Sequence, residues 1–408
     1  MVFGLHGGRN RWTSVGIGMV VVASLAACSQ SAPAPRYSNE VATNASFDDL
    51  LRPSIVVTGF AGQPLRDRMV GVQPGAPITV RAAAGELTDV RIPTANGRQI
   101  KGTFNSDRTA WTSVEPFGFD RTYTLSADVA GITGTSSTKL SFTTRAPNNV
   151  TDTFLLPENN STVGIGQPVA IRFDEPITDK LTAQRAIKVT TNPPVEGAFY
   201  WLSDSELRWR PQNFWKPGTK VHVDVNTYGI DLGDGLFGEQ NKTLDFTVGR
   251  SLIATADDRT KQVVVNINGK TVRSMPTSMG KDSTPTNRGT YIVGDRVPSI
   301  IMDSSTYGVP VNSPGGYRET VYFDTQMSWS GIYLHAAPWS LYAQGNSNVS
   351  NGCLNLSPEN AEWFMNTSLR GDIVIVKNTV GDILPGNDGL GDWNIPWDVW
   401  KRGNAGRD

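Results

Sequence analysis

From about residue 51 onward, apolar and polar residues alternate in short runs. TYTLSADVAG at 122–131 alternates with period two, and KVHVDVNTYG at 220–229 does the same. That spacing puts the apolar side chains on one face of an extended segment, so both runs predict half-buried β-strands. TKLSFTT (138–144) and KTLDFTV (242–248) predict two more. QVVVNINGKTV (262–272) predicts a hairpin with Asn268-Gly269 as its type I′ turn, which needs positive φ at both central residues. Helix signals are scarce. The best is SPENAEWFMNTSLRG (357–371), with Ser357 as N-cap, Pro358 as first helical residue and Gly371 as the stop.

Two of these strands belong to a repeat. Trp111 precedes Tyr123 by 12 residues and Trp209 precedes Val221 by 12, an offset of 98 in both cases. Short strands and turn signals recurring at a period near 100 fit tandem immunoglobulin-like β-sandwiches, placed here at 51–147 and 148–250. A third, mainly β region follows at 251–378, and the last stretch, 379–408, reads as an extension packed on it. Its Trp393, Trp397 and Trp400 could bind glycan, but packing is the favoured reading.

Composition agrees with a turn-rich β protein: hydrophobic residues make up 38% of 408, with 41 Gly and 25 Pro. Lys+Arg 37 against Asp+Glu 38 gives a net charge of -1, so no basic face is offered to nucleic acid. The first residues read as a leader. Arg9 and Arg11 precede an apolar run from Val15 to Ala27, too short for a comfortable membrane span and suited to a secretory signal. It closes with LAAC, Leu25 to Cys28, which resembles a bacterial lipobox and implies cleavage before Cys28 and a diacylglycerol on its sulfur. On that reading 1–27 is signal peptide and 28–50 a polar tether, and the rest faces the cell wall from the outer side of the plasma membrane. An ordinary signal peptide with an incidental cysteine is the alternative.

With Cys28 assigned to the leader, Cys353 in VSNGCLNL is alone. An unpaired thiol in an exported protein is either buried and inert or kept for its reactivity, and Asn351, Gly352 and Asn355 make a poor core strand. A nucleophilic thiol needs a base. Of three histidines, His6 lies in the leader and His222 on a strand of the second sandwich, which leaves His335, 18 residues before Cys353.

The stretches IYLHAAPW (332–339) and SNGCLNLS (350–357), with MPTSMGKDSTPTNRGTYIV (275–293) upstream, resemble the L,D-transpeptidase (YkuD-type) catalytic domain, a β-sandwich. The lipobox, two sandwiches and a tail carrying DGLGDWNIPWDVW (388–400) are similar to the mycobacterial L,D-transpeptidase 2 group of that family. The resemblance implies Cys353 as nucleophile, His335 as its base and the Ala336 carbonyl as the group orienting the imidazole. It implies an oxyanion hole from the backbone N–H groups of Asn351, Gly352 and Cys353, and a lid carrying Tyr317 with Gly315 and Gly316 as hinge. Ser330, Gly331 and Asn355 match positions that contact the donor peptide. The implied reaction forms 3→3 cross-links between peptidoglycan stem peptides through a thioester, with carbapenem β-lactams as covalent inhibitors and no cofactor required. One departure stands out: the family pattern has histidine where this chain has Asn351. A catalytically impaired wall-binding protein and a carboxypeptidase trimming tetrapeptide stems are the alternatives. A structural calcium at Asp231, Asp234 and Gly235 is a further expectation, set against a solvated Asp-Gly turn.

Overall fold

The structure is a computed structural model that describes residues 51–314 and 316–406, without the side chain of Tyr307. The leader, Cys28, the tether and Gly315 lie outside the described residues. The protein is mainly β, and the alternating runs become strands as expected. In Thr122–Gly131 the buried positions are Tyr123, Leu125, Ala127 and Val129; in Lys220–Val225 they are Val221, Val223 and Val225.

The first sandwich has two four-stranded sheets. One orders Ser54–Thr58, Thr79–Ala83, Ala110–Ser113 and Gly102–Phe104; the other orders Met69–Val72, Gly134–Thr144, Thr122–Gly131 and Glu86–Arg91. The second sandwich orders Thr153–Leu156, Val169–Phe173, Glu206–Pro211 and Gly197–Ser203 against Ser161–Val163, Lys242–Val248, Lys220–Val225 and Ile187–Asn192. The sequence repeat is a repeat of core positions. Trp111 and Trp209 are both buried, and Tyr123 pairs with Phe142 as Val221 pairs with Phe246.

The third region is also two sheets: five strands in the order Lys270–Pro276, Gln262–Ile267, Leu252–Asp257, Ile373–Lys377 and Gly289–Ile292, and four in the order Arg296–Asp303, Arg318–Gln326, Tyr333–Ala336 and Leu354–Leu356. Asn268 and Gly269 have φ of 50° and 80°, as a type I′ turn requires. The helix runs Pro358–Thr367, and the Ser357 side chain accepts from Asn360 N. It stops four residues before Gly371, because Ser368 is already extended. Gly371 answers a different demand. Its φ is 89°, and a Cβ there would lie 2.5 Å from Cβ of Gln167 in the second sandwich. The two domains meet backbone to backbone at this point, Gly164 N donating to Arg370 O and Gly166 N to Gly371 O, both at 2.7 Å.

The tail corrects an expectation. Its beginning does follow the catalytic domain, with Asn394 bonded to both N and O of Thr290, but its tryptophans cover the second sandwich. The strand Glu206–Pro211 points Arg208 and Arg210 away from the sandwich core, and both are buried all the same. Arg210 lies 4.5, 5.5 and 4.3 Å from the ring centroids of Trp393, Trp397 and Trp400 and donates to Ile395 O at 2.8 Å. Arg208 pairs with Glu206 and Asp392 and donates to Gly389 O. A buried guanidinium needs such partners, and the tail supplies Asp392, the Gly389 and Ile395 carbonyls and three indole faces.

Candidate active site

The site is built where two strands run parallel, Tyr333–Ala336 beside Leu354–Leu356, with His335 in register with Asn355. Side chains two apart share a sheet face. The turn of Asn351 and Gly352 precedes the second strand, and Gly352 takes φ 128°. Cys353 Sγ accepts from Tyr333 N at 3.4 Å and points its hydrogen toward Gly331 O at 3.7 Å. Both Cys353 and His335 line a cavity of about 160 Å³ together with Tyr317, Glu319, Trp339 and Asn351.

His335 is buried, and its Nδ1 donates to Ala336 O at 3.0 Å. That bond leaves the Nε2 lone pair free to take a proton. Burial pushes its pKa below the usual value, so the ring is neutral at pH 7. Burial also raises the thiol, to about 11, with the Tyr333 N–H opposing and the Asp324 charge adding to the rise. The resting pair is therefore thiol and imidazole. A thiolate has to be made during reaction, by transfer of its proton to a base.

The upstream segment 275–293 wraps the nucleophile turn. Thr286 Oγ1 donates to Gly352 O at 2.7 Å, Lys281 N donates to Ser350 O at 3.0 Å, and Ser278 exchanges backbone bonds with Asn355. Of the three amides expected as oxyanion donors, that of Gly352 is already given to Ser350 Oγ at 3.1 Å, and the same hydroxyl donates to Cys353 O at 2.7 Å. Asn351 lines the cavity and takes a weak 3.4 Å bond from Thr284 Oγ1. Tyr317 and Asn355 line the cavity as well, although the Asn355 amide donates inward to Ser340 Oγ. Ser330 and Gly331 do not line it. The Ser330 amide is held by Asp388 and its hydroxyl by Ser328, while Gly331 (φ 95°) offers its carbonyl to the thiol.

Two acidic residues escape the sequence reading. Glu319 stands on the cavity wall. Asp324 is fully buried, and neither carboxyl oxygen has a hydrogen-bond partner. It follows Phe323, whose φ of 58° makes a bulge: Tyr322 pairs with Ala336 and Thr325 with Leu334, leaving Phe323 and Asp324 opposite His335. Desolvation lifts Asp324 to about 7. The only hint in TVYFDTQM is that an acidic residue interrupts an apolar run.

The calcium expectation is not met by the donors present. Asp231 gives one carboxylate oxygen to Arg145 at 3.0 Å and the other to Gly233 N at 3.0 Å. Gly235 turns with φ 76° against Asn148. Among the described residues no three His, Cys, Asp or Glu side chains gather as a metal would need. Asp231 instead ties the two sandwiches together through Arg145.

Two family descriptions match the sequence: "Bacterial Ig domain" over residues 69–231, which runs from the first sandwich into the second, and "L,D-transpeptidase catalytic domain" over 252–376, the two-sheet region that carries the cavity. L,D-transpeptidase 2 of Mycobacterium tuberculosis is 53% identical over 399 residues, covering 97% of this chain and 96% of that one. The chain belongs to the L,D-transpeptidase family. Within it, the match supports the L,D-transpeptidase 2 group, and the protein is a transpeptidase. L,D-transpeptidase 5 of the same species is 35% identical, covering 82% of this chain and 74% of its own. A solved structure of the L,D-transpeptidase LdtMt1 in complex with imipenem aligns over 55% of this chain and 97% of that one, at 36% identity and a TM-score of 0.49.

Proposed function

We propose that this transpeptidase works through a thioester on Cys353, with His335 as the base, and joins peptidoglycan stem peptides by 3→3 cross-links. The observation that carries the reading is the placement of both side chains on one cavity, with the His335 tautomer set by Ala336 O. As sulfur attacks the donor carbonyl, its proton passes to Nε2 and the carbonyl oxygen becomes an oxyanion. Backbone N–H groups of the 351–353 turn are the donors assigned to that charge, and Gly352 N must leave Ser350 Oγ, to which it is bonded at 3.1 Å, to take part. Collapse breaks the peptide C–N bond, the leaving D-amino acid takes the proton from the imidazolium, and the thioester remains. An incoming amine attacks it, gives a proton to Nε2, and releases the thiol in its starting state. Tyr317, Asn351 and Asn355 are the side chains placed to hold the donor.

A carbapenem acylates the same thiol, but opening its ring expels no separate leaving group, so the adduct persists. The lipobox supports anchoring by a lipid on Cys28, which holds the enzyme on the outer face of the plasma membrane where stems are available. No cofactor takes part in these steps.

The full chain incubated with a tetrapeptide stem should yield cross-linked dimers, and Cys353→Ala should yield none and take up no carbapenem by intact mass. Tripeptide without dimers would make it a carboxypeptidase. Labelling that survives in Cys353→Ala would remove the thiol from the mechanism.

A further inference from the structure

One wall of the cavity is a hairpin whose second strand is Arg318–Gln326. Tyr317, Glu319 and Val321 stand at every second position and all line the cavity, as does Met302, the register partner of Glu319. Arg318, on the opposite face, is engaged outside by Asp303 at 3.7 Å. Glu319 therefore points inward by strand geometry. Its side chain makes no ion pair or hydrogen bond with any described residue. No lysine or arginine lines the cavity, and His335, the one basic side chain there, is held neutral by burial. The thiol is neutral for the same reason. A carboxylate is thus the sole formal charge on the walls, with its counter-charge missing. A transpeptidase needs a primary amine to displace the thioester, and in water near pH 7 that amine arrives as an ammonium ion.

We propose that Glu319 is the specificity residue for the acyl acceptor: it binds the ammonium group of the incoming stem and so directs the acyl-enzyme toward amine transfer and away from hydrolysis. This rests on the thioester reading above. Glu319 is exposed on that wall, and an exposed anion raises the local concentration of a cation most at low ionic strength. The bound ammonium loses one proton to solvent before attack, which leaves His335 Nε2 free for the proton released as the amine attacks; the carboxylate concentrates and orients the nucleophile and forms no bond to it.

The test compares the full chain with Glu319→Gln and Glu319→Asp, using a tetrapeptide stem with one free primary amine and the same stem N-acetylated on that amine. In turnover, Glu319→Gln should raise the acceptor KM about tenfold in low salt with a much smaller change in kcat, shift product toward hydrolysed tripeptide, and lose the salt dependence of the parent; Glu319→Asp should restore most of the acceptor affinity. Separately, calorimetry on Cys353→Ala should show the amine stem binding about tenfold tighter than its acetylated form, a preference absent from the Cys353→Ala/Glu319→Gln chain. If the two stems bind Cys353→Ala equally, the proposal is wrong whether or not the enzyme turns over. If the preference is present and depends on Glu319 but the parent never forms an acyl-enzyme, Glu319 still selects ammonium and the thioester reading is what fails.

Discussion

Two histidines stand on short β-strands of this molecule in opposite surroundings. His222, on the second sandwich, is 40% exposed and lies between Asp245 at 2.8 Å and Asp224 at 3.2 Å. Its bond to Asp245 outweighs desolvation and raises its pKa. His335, in the catalytic domain, is 4% exposed and has one backbone carbonyl for a partner, and its pKa is lowered. The same side chain is drawn toward its protonated form by two carboxylates in one place and held as a neutral proton acceptor in the other. Burial and neighbouring charge decide between the two.

Removing each ring should break this comparison unequally. His335→Ala should slow acylation by a carbapenem about 10²- to 10⁴-fold, the range of a lost general base, as followed by intact-protein mass. His222 belongs to another domain and should not replace it. Equal acylation by parent and variant would assign the base elsewhere.

Asp324 sharpens the electrostatic half of the contrast. Its carboxyl is raised from 3.8 to about 7, so between roughly pH 4 and 7 the folded chain holds a proton that the unfolded chain has released. Stability then falls as pH rises through that window, and the loss is complete above it. Asp324→Asn should be more stable than the parent by about 4 kcal/mol at pH 8 and equal to it below pH 4, read from urea midpoints. Because ionised Asp324 raises the Cys353 thiol, iodoacetamide should also alkylate Cys353 faster in the variant at pH 8. Superimposed urea profiles would show that burial does not raise the carboxyl's pKa, and superimposed alkylation profiles that its charge does not reach the thiol.

A smaller effect is expected from placing a third ring in the cavity. Asn351 lines it without carrying charge, and Asn351→His would supply a titratable donor beside the forming thiolate. Acylation should rise about tenfold near pH 7, equivalent to one charge-assisted contact at the low end of its range, and the gain should shrink toward pH 9. A gain that is flat with pH would point to shape instead of charge.

The smallest change belongs to His222→Ala. A raised folded pKa gives stabilisation that is complete below the unfolded value of 6.5 and is lost as pH rises through the folded one. With a ring exposed to solvent the effect is at most about 1 kcal/mol at pH 5.5 and should vanish by pH 9, while acylation stays at the parent rate. Thermal midpoints at the two pH values check it.

Much of the catalytic domain was legible in the chain. The period-two runs marked the strands, Asn268-Gly269 marked a turn, and Ser357-Pro358 marked where the helix begins, because alternation, φ preference and capping act within a few residues. The pairing of Cys353 with His335 came by elimination, and the family motifs covered Tyr317, Ala336 and Asn355. Glu319 and Asp324 were missed. Each is one acidic residue in a strand, and its meaning depends on a hairpin face or on a bulge that alternation does not announce.

By itself the sequence determined the two sandwiches, the mainly β third domain, the transpeptidase family and the two side chains brought to one cavity. Only the tertiary structure decided what covers the outer face of Glu206–Pro211, where alternating arginines look made for water and instead meet three tryptophans and Asp392 from the tail. It likewise gave the Gly352 amide to Ser350 Oγ, used Gly371 for a close domain contact, and left Asp324 buried without a partner. The physical reason is range. Periodicity and capping are set by neighbours along the chain, whereas the dielectric around a charge is set by segments that are distant in sequence and packed against it only in the folded state.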